Sequence, residues 1–333
     1  MLYLREAETN QCLAYDPRLV DILTTLEQGY RDYVAGTIVT PPGERIRLTY
    51  PPKTRRQDWT HDMRMLPAIM PGLGMAGLHV ATTAPVRQGP GFGSHAFLWD
   101  FDTLRLVAVI EDRRMHRVRA GSPSGVATRW LARPDCRVAG CIGSGEIMEQ
   151  AITAVCGARP IEAVKVFSPA RDHRMRFATM MTERLGLPFE AVDSAREAVR
   201  GADVVQIVTN SHFEPVIDGA WLEPGQHINS IAPGELDETT ILRSSLFVGT
   251  RERTLHDNPP RQPLMGMLER GLITTDFILA EMGEVITGQH PGRTRADEIT
   301  LFLSPGVGFY DVAIATWVYR TAREHGIGLE LPD

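Results

Sequence analysis

The chain has 333 residues, of which 43% are hydrophobic and 23% charged, and its formal net charge is −6. This length suits two domains, and the composition is typical of a globular protein in water. The negative charge gives no reason to expect nucleic acid or an anionic membrane as a partner, and no apolar run approaches the roughly 18 residues of a membrane span.

The start of the chain and its cysteines favour a cytoplasmic location. The opening residues, MLYLREAE, carry acids where a signal peptide would be basic and then apolar. The cysteines Cys12, Cys136, Cys141 and Cys156 are scattered. This spacing indicates buried thiols in a reducing compartment rather than a disulfide framework.

The first third of the chain is predicted to be a mixed, mainly β domain. Asp16 and Pro17 open a segment whose apolar residues recur at helical spacing. The segments that follow are predicted to be an extended stretch (40–52), an exposed loop (53–64), strands and turns (65–83) and a hairpin of two strands (97–101 and 104–110). Arg117–Leu131 is then predicted to be a helix that leads into a second domain, with Pro123 near its first turn.

The second domain begins with the motif VAGCIGSGEIMEQ. Residues 138–142 are predicted to be a buried strand, Gly143 and Gly145 a turn, and residues 146–156 a helix. Glycines let the backbone approach a dinucleotide pyrophosphate, and the helix N-terminus points free N–H groups at it. Met148 takes the place of the third small residue, which weakens the motif; the alternative is a glycine turn in another α/β fold.

The segments after the glycine turn strengthen the nucleotide interpretation. A strand (161–167), a helix (171–185) and a strand (202–209) complete a βαβαβ series, which predicts a doubly wound parallel sheet in an α/β fold. Further strands are predicted at 227–231, 246–248 and 298–303, and a last long helix at 309–325.

Several segments together resemble the ornithine cyclodeaminase/mu-crystallin family over nearly the whole chain. They are the glycine turn, ADVVQIVTN (202–210), WLEPGQHINSIAPGELD (221–237) and EMGEVITGQHPGRTRADEITLFLSPGVGFYDVA (281–313). The resemblance implies a Rossmann NAD(P)-binding domain (119–305) and a mixed α+β substrate and dimerisation domain built from both chain ends (1–118 and 306–333). It also implies a homodimer.

The resemblance assigns three residues to the substrate. Arg119 matches an arginine that binds the substrate carboxylate, and a guanidinium pairs bidentately with such a group. Arg45 matches a second carboxylate-binding arginine, although Arg47 remains an alternative. His79 falls where the family usually has a lysine; it is either a proton donor to the substrate nitrogen or a satisfied core histidine. The ten histidines show no paired ligand spacing, so no metal is predicted.

A further set of residues is predicted to contact the cofactor, with Ser94 as a weaker match. The set is Gly143, Ser144, Gly145, Glu146, Ile147, Ser168, Arg171, Thr209, Asn210, Ile231 and Ser304. Ser168 stands where an acidic residue would bind the 2′-hydroxyl of NAD, and Arg171 and Arg174 follow it. A hydroxyl and arginines suit a 2′-phosphate, so NADP(H) is preferred, with NAD(H) possible.

One departure from the family bears on the reaction. The loop aspartate that handles protons in cyclodeaminases is missing between Asn229 and Asp237; Glu235 is a minor candidate to replace it. The sequence therefore predicts an NAD(P)H-dependent oxidoreductase acting on the C=N or CH–N bond of a small α-imino or α-amino acid. The alternatives are an ornithine cyclodeaminase-type ammonia lyase and a non-catalytic binding protein.

Overall fold

A computed structural model describes residues 1–41, 43–49, 60–83, 93–211, 214–257 and 259–332, and for 44–49, 60–62 and 83 the backbone alone. Arg47 and Arg45 are among the residues described by backbone alone. Within these ranges, none of the helices combines the length and apolar character that crossing a bilayer requires.

The described residues form strands and helices throughout the chain. The strands are β1 (Leu2–Leu4), β2 (Glu44–Thr49), β3 (Thr60–Met70), β4 (Met75–Thr83), β5 (Ser94–Asp100), β6 (Leu106–Glu111), β7 (Val138–Ile142), β8 (Ala163–Phe167), β9 (Phe189–Ala191), β10 (Val204–Ile207), β11 (His227–Ser230), β12 (Ser245–Val248), β13 (Ile278–Glu281), β14 (Thr300–Leu303) and β15 (Leu329–Glu330). The α-helices are α1 (Glu6–Leu13), α2 (Val20–Val34), α3 (Arg113–Leu131), α4 (Glu146–Ala158), α5 (Arg171–Leu185), α6 (Ala195–Val199), α7 (Glu238–Leu242), α8 (Arg251–Leu255), α9 (Leu264–Glu269), α10 (Met282–Ile286) and α11 (Gly308–His325).

The chain divides into two compact units. The first comprises Met1–Pro17, Arg31–Arg119 and Val307–Asp333, and the second comprises Arg18–Tyr30 and Ala120–Gly306. The boundaries therefore fall inside α2 and α3. The assignment of 18–30 to the second unit is a feature that the sequence did not indicate.

The first unit is built on a mainly antiparallel sheet. Its strand order is β15-β1-β6-β5-β4-β3-β2 in the part of the chain described, and β1 and β6 are the parallel pair. The last helix, α11, packs on β3, β4 and β5. A Cβ on Gly77 of β4 would lie 2.8 Å from Val312 of α11, so glycine is what allows the helix to approach the sheet so closely.

The second unit contains the predicted doubly wound sheet. All its strand pairs are parallel, in the order β13-β12-β14-β11-β10-β7-β8-β9. In chain order the first five strands of this sheet take the arrangement 3-2-1-4-5 of dinucleotide-binding folds. Helix α4 follows β7 directly, so its N-terminus lies at the carboxyl end of β7. The α/β fold prediction is confirmed.

Most predicted elements of this unit are found within a few residues of their expected bounds. Strand β7 and helix α5 have the predicted bounds. The predicted helix at 117–131 is corrected, because α3 begins at Arg113 and Pro123 lies inside it rather than in its first turn. Its earlier start is stabilised by the buried Met115 and Val118.

The predicted loop at 53–64 is corrected at its end, where β3 begins at Thr60.

Candidate active site

A buried group of charged and polar side chains in the first unit surrounds His79. The imidazole lies on β4 and is 1% exposed. Its Nε2 lies 2.8 Å from Oδ2 of Asp112 and 3.2 Å from Oγ of Ser94, and its Nδ1 lies 3.2 Å from Oδ1 of Asp311. Each ring nitrogen therefore faces a carboxylate oxygen, to which it can donate when it carries a proton. Ser94, a weaker candidate for cofactor contact, is thus a neighbour of His79.

Asp311 joins this histidine to Arg119. Oδ1 of Asp311 lies 2.8 Å from Nε of Arg119, and both residues are buried, at 2% and 8% exposure. Burial raises the pKa of the Asp311 carboxyl, and the charges of Arg119 and His79 act in the opposite direction. A buried carboxylate beside a guanidinium is compensated electrostatically, which a lone buried charge would not be.

His116 completes the group from the same helix as Arg119. Its Nδ1 lies 3.0 Å from Nη2 of Arg119, and its ring centroid lies 5.2 Å from that of His79. Burial, and then the charge of Arg119, hold the pKa of His116 well below its ordinary value. At neutral pH the ring is therefore uncharged. It accepts from the guanidinium at Nδ1 and carries its proton on Nε2.

Three of these side chains also approach the geometry of a metal site. His79, Asp112 and His116 each place a potential ligand atom within 4.8 Å of the others. However, Nε2 of His79 and Oδ2 of Asp112 are 2.8 Å apart, closer than the roughly 3.3 Å between two ligands of a tetrahedral ion. The guanidinium of Arg119 already places a positive charge beside His116, which disfavours a metal cation there. The group suits a shared proton better than a metal ion, and the absence of a metal stays a prediction.

The second predicted carboxylate-binding arginine lies on β2, which is separated by β3 from the strand β4 that carries His79. The backbone pairs Arg45 with Arg64, and Arg47 with Asp62, across β2 and β3. The side chains of Arg45 and Arg47 fall outside the described residues.

The glycine turn of the second unit has the features that a dinucleotide needs. Gly143 has φ +115°, and a Cβ there would lie 1.9 Å from the carbonyl oxygen of Val208, so only glycine fits. A Cβ on Gly145 would instead have no neighbour within 4 Å, which leaves space over the first turn of α4. The backbone N–H groups of this turn and of Glu146 and Ile147 at the start of α4 fit a pyrophosphate in that space.

Several side chains around this turn form hydrogen bonds or ion pairs within the protein. Oγ of Ser144 donates to Oγ of Ser168, 2.9 Å away, at the end of β8. Arg171, the first residue of α5, is exposed. Arg174 is buried and pairs with Asp193 at 2.6 Å, while its Nη1 donates to the carbonyl oxygen of Ser168. Arg174 is therefore engaged in the protein, and Arg171 is the better candidate for a phosphate.

The remaining predicted cofactor residues lie at the carboxyl ends of parallel strands. Thr209 and Asn210 follow β10, Ile231 follows β11 and Ser304 follows β14. Thr209 donates to Glu235 through both its backbone N–H and its hydroxyl. The carbonyl oxygens of Ile231 and Ser304 both accept from Arg261. These residues line one edge of the sheet, the edge at which ligands bind in such folds.

Glu235 is occupied in a way that disfavours a role as a base. Its carboxylate accepts from Thr209, from the hydroxyl of Ser230 at 2.9 Å and from the backbone N–H of Ala232 at 3.0 Å. The side chain of Asp237 caps the N-terminus of α7, where it accepts a hydrogen bond from the backbone N–H of Thr240. Burial raises the pKa of Glu235, although these hydrogen bonds oppose the shift.

The sequence did not single out Asp112, His116 or Asp311. A signal for two of them was present: Asp112 and His116 precede Arg119 by seven and three residues, a spacing that places them on one face of a helix. Asp311 offers a weaker signal, a charged residue within the predicted last helix.

Comparisons with known proteins agree with this architecture. The model of the ornithine cyclodeaminase/mu-crystallin family matches residues 10–326. A Δ1-pyrroline-2-carboxylate reductase from Bacillus cereus is 31% identical over 273 residues, which cover 79% of this chain and 82% of that protein. An alanine dehydrogenase from Archaeoglobus fulgidus is 28% identical, with 99% and 98% of the two chains covered.

A solved structure extends the likeness to three dimensions. It is that of Thermococcus litoralis Δ1-pyrroline-2-carboxylate reductase in complex with NADH and L-proline. It superposes with a TM-score of 0.88 at 28% identity and covers 99% of this chain and 100% of that one. Together with the family match over nearly all of the sequence, this shows that the chain belongs to the ornithine cyclodeaminase/mu-crystallin family.

Proposed function

We propose that this protein is an NAD(P)H-dependent reductase that acts on the C=N bond of a small α-imino acid, of the cyclic ketimine type. The observation that carries the proposal is Arg119, a guanidinium held by Asp311 and His116 with its side chain 10% exposed. Such an arginine is fixed for bidentate binding of a carboxylate. The imine reductases among the relatives support the same substrate class.

The chain's own residues account for two requirements of such a reaction. Arg119 binds the carboxylate and so fixes the carbon that is bonded to nitrogen. His79 and Asp112, 2.8 Å apart, supply the proton that the substrate nitrogen takes up, directly or through water. A nicotinamide cofactor, which the glycine turn around Gly143 and Gly145 would hold, would supply the hydride.

The second unit supports a dinucleotide as cofactor, and we propose NADP(H) in preference to NAD(H). Ser168 follows β8 at the position where an acidic residue would select NAD, and the exposed Arg171 lies three residues later. A hydroxyl and a guanidinium suit the 2′-phosphate. A homodimer in the cytoplasm is part of the same proposal, by likeness to the family.

Oxidation of NADPH and NADH with a panel of imines tests the function. The panel is Δ1-pyrroline-2-carboxylate, Δ1-piperideine-2-carboxylate, and pyruvate with ammonia or methylamine. We expect turnover of at least one cyclic ketimine, its loss in Arg119→Ala, and its retention in Arg270→Ala, which alters an exposed arginine. Proline and ammonia formed from ornithine without net NADH would indicate cyclodeamination instead. Tight NADPH binding without any turnover would indicate a binding protein.

A further inference from the structure

We propose that Asp311 is a positioning residue that orients the carboxylate-binding arginine and the proton-supplying histidine together. The inference rests on the proposed function and adds a role for the last helix of the chain. It concerns three residues from separate segments: His79 on β4, Arg119 on α3 and Asp311 on α11.

One carboxylate oxygen makes both contacts. Oδ1 of Asp311 lies 2.8 Å from Nε of Arg119 and 3.2 Å from Nδ1 of His79. The carboxylate is 2% exposed and lies in the first turn of α11, where the helix dipole favours a negative charge. A movement of this oxygen therefore displaces or releases the guanidinium of Arg119 and the imidazole of His79 together.

The contacts of Arg119 also define how a ligand carboxylate approaches it. Nε lies against Asp311 and Nη2 lies against His116. Nη1 is the guanidinium nitrogen that neither contact uses. Nη1 and the second N–H of Nη2 can donate to a substrate carboxylate.

Asp112 provides a matched control for this role. Like Asp311 it is a buried aspartate that contacts a nitrogen of His79, at 2.8 Å. Among the ion pairs of the described residues, it is not joined to Arg119. Neutralising Asp112 therefore removes a charged contact from His79 and leaves the ion pair of Arg119 in place, whereas neutralising Asp311 removes a charged contact from both residues.

Kinetics of Asp311→Asn and Asp112→Asn with two substrates separate these effects. The substrates are Δ1-pyrroline-2-carboxylate and Δ1-pyrroline, which lacks the carboxylate, both with NADPH. For Asp311→Asn we expect KM for the carboxylate substrate to rise roughly tenfold, since a charge-assisted contact orients the guanidinium. KM for Δ1-pyrroline should stay within about twofold. Asp112→Asn should lower kcat and leave both KM values nearly unchanged.

A second readout does not depend on turnover. Long-range ¹H–¹⁵N correlation spectra of the histidine side chains report each ring nitrogen in wild type and in both variants. Asp311→Asn should change the Nδ1 signal of His79, and Asp112→Asn its Nε2 signal. If Asp311→Asn does not fold, Asp311→Glu, which keeps the charge but shifts the oxygen, should show the same KM effect on the carboxylate substrate.

The possible outcomes distinguish the two proposals. A wild-type protein that reduces none of these imines overturns the proposed function, and this inference with it. An active wild type in which Asp311→Asn raises KM equally for both substrates, or behaves as Asp112→Asn does, overturns the positioning role and leaves the proposed function intact.

Discussion

Nη2 of Arg119 lies 3.0 Å from Nδ1 of His116, one helical turn earlier on α3. Because arginine has donors only, the histidine must accept at Nδ1. A neutral ring fulfils this requirement, and the pKa of His116, held well below its ordinary value by burial and by Arg119, keeps the ring neutral. The histidine is thus a fixed acceptor for the guanidinium.

Removing this acceptor should weaken substrate binding. In His116→Ala the guanidinium loses one of two orienting contacts, so KM for an α-imino acid should rise about three- to tenfold, as expected for one hydrogen bond to a charged group. His116→Asn, which retains an acceptor oxygen, should have a smaller effect. Steady-state kinetics test this, with His173→Ala, an exposed histidine of α5, as the control. Equal KM values in wild type and His116→Ala would refute the role.

His79 lies between two carboxylates, those of Asp112 and Asp311. His79→Gln removes the transferable proton, so kcat should fall by about 10²-fold. His79→Lys again places a proton donor between Asp112 and Asp311 and should retain more activity. Steady-state kinetics of both variants with Δ1-pyrroline-2-carboxylate and NADPH measure the difference. Equal kcat values in wild type and His79→Gln would contradict proton supply by this residue.

The glycine turn illustrates what local sequence can reveal. Three signals within twenty residues of sequence predict this region: an apolar run for β7, a glycine for the turn and a helix-compatible segment for the start of α4. In the structure, Gly143 has the positive φ that favours glycine. These are short-range signals, and the structure confirms them. The exact bounds of α5 follow similarly, with Gly186 in the left-handed conformation that ends the helix.

The charged group around His79 could not be derived in the same way, because it joins segments that are distant in sequence. The start of α3 explains part of the omission. The predicted start at Arg117 left His116 and Asp112 outside the helix that carries Arg119. Asp311 is distant from these residues in sequence, and only the folding of the chain brings it beside Arg119 and His79.

Gly145 gives a direct test of the dinucleotide site. Its φ of −93° suits any residue and a Cβ would meet no atom within 4 Å, so Gly145→Ala should fold with an unchanged Tm. The methyl group would occupy the space left for the pyrophosphate, and the dissociation constant of NADPH should rise about tenfold or more. Thermal shift with and without nucleotide measures both.

Gly143→Ala serves as the contrasting variant. Its Cβ would meet the carbonyl of Val208 at 1.9 Å, so the protein itself should lose stability whether or not nucleotide is present. If Gly145→Ala bound NADPH as tightly as wild type, the pyrophosphate would have to lie elsewhere.

Arg171 is expected to determine the choice of cofactor. Arg171→Ala should raise the KM for NADPH about tenfold, since a guanidinium binds a phosphate through charge-assisted hydrogen bonds. The KM for NADH, which lacks the 2′-phosphate, should change less than about twofold. Arg176→Ala removes an exposed arginine from the same helix and is the control. An equal loss with both cofactors would show that Arg171 does not discriminate between them.

His227 should make the stability of the second unit depend on pH. The ring is fully buried, with Nδ1 2.9 Å from Oγ1 of Thr300 and Nε2 3.1 Å from Oδ1 of Asn229. Burial, and then the charge of Arg293, lower its pKa to about 3. Since the unfolded chain takes up this proton near pH 6.5, the stabilisation is complete above that pH and is lost as the pH falls towards 3.

At pH 5 the neutral His227 should contribute about 2 kcal/mol less to the free energy of unfolding than it does above pH 6.5. This figure follows from about 1.4 kcal/mol for each pH unit below 6.5. Urea unfolding of the full chain at pH 7.5 and pH 5.0 measures it. His227→Gln has no titrating ring, so its free energy of unfolding should fall by about 2 kcal/mol less than that of wild type between these pH values. His173→Gln, which alters an exposed histidine, should keep the wild-type dependence. If His227→Gln and wild type lose the same stability on acidification, His227 does not remain neutral in the folded protein.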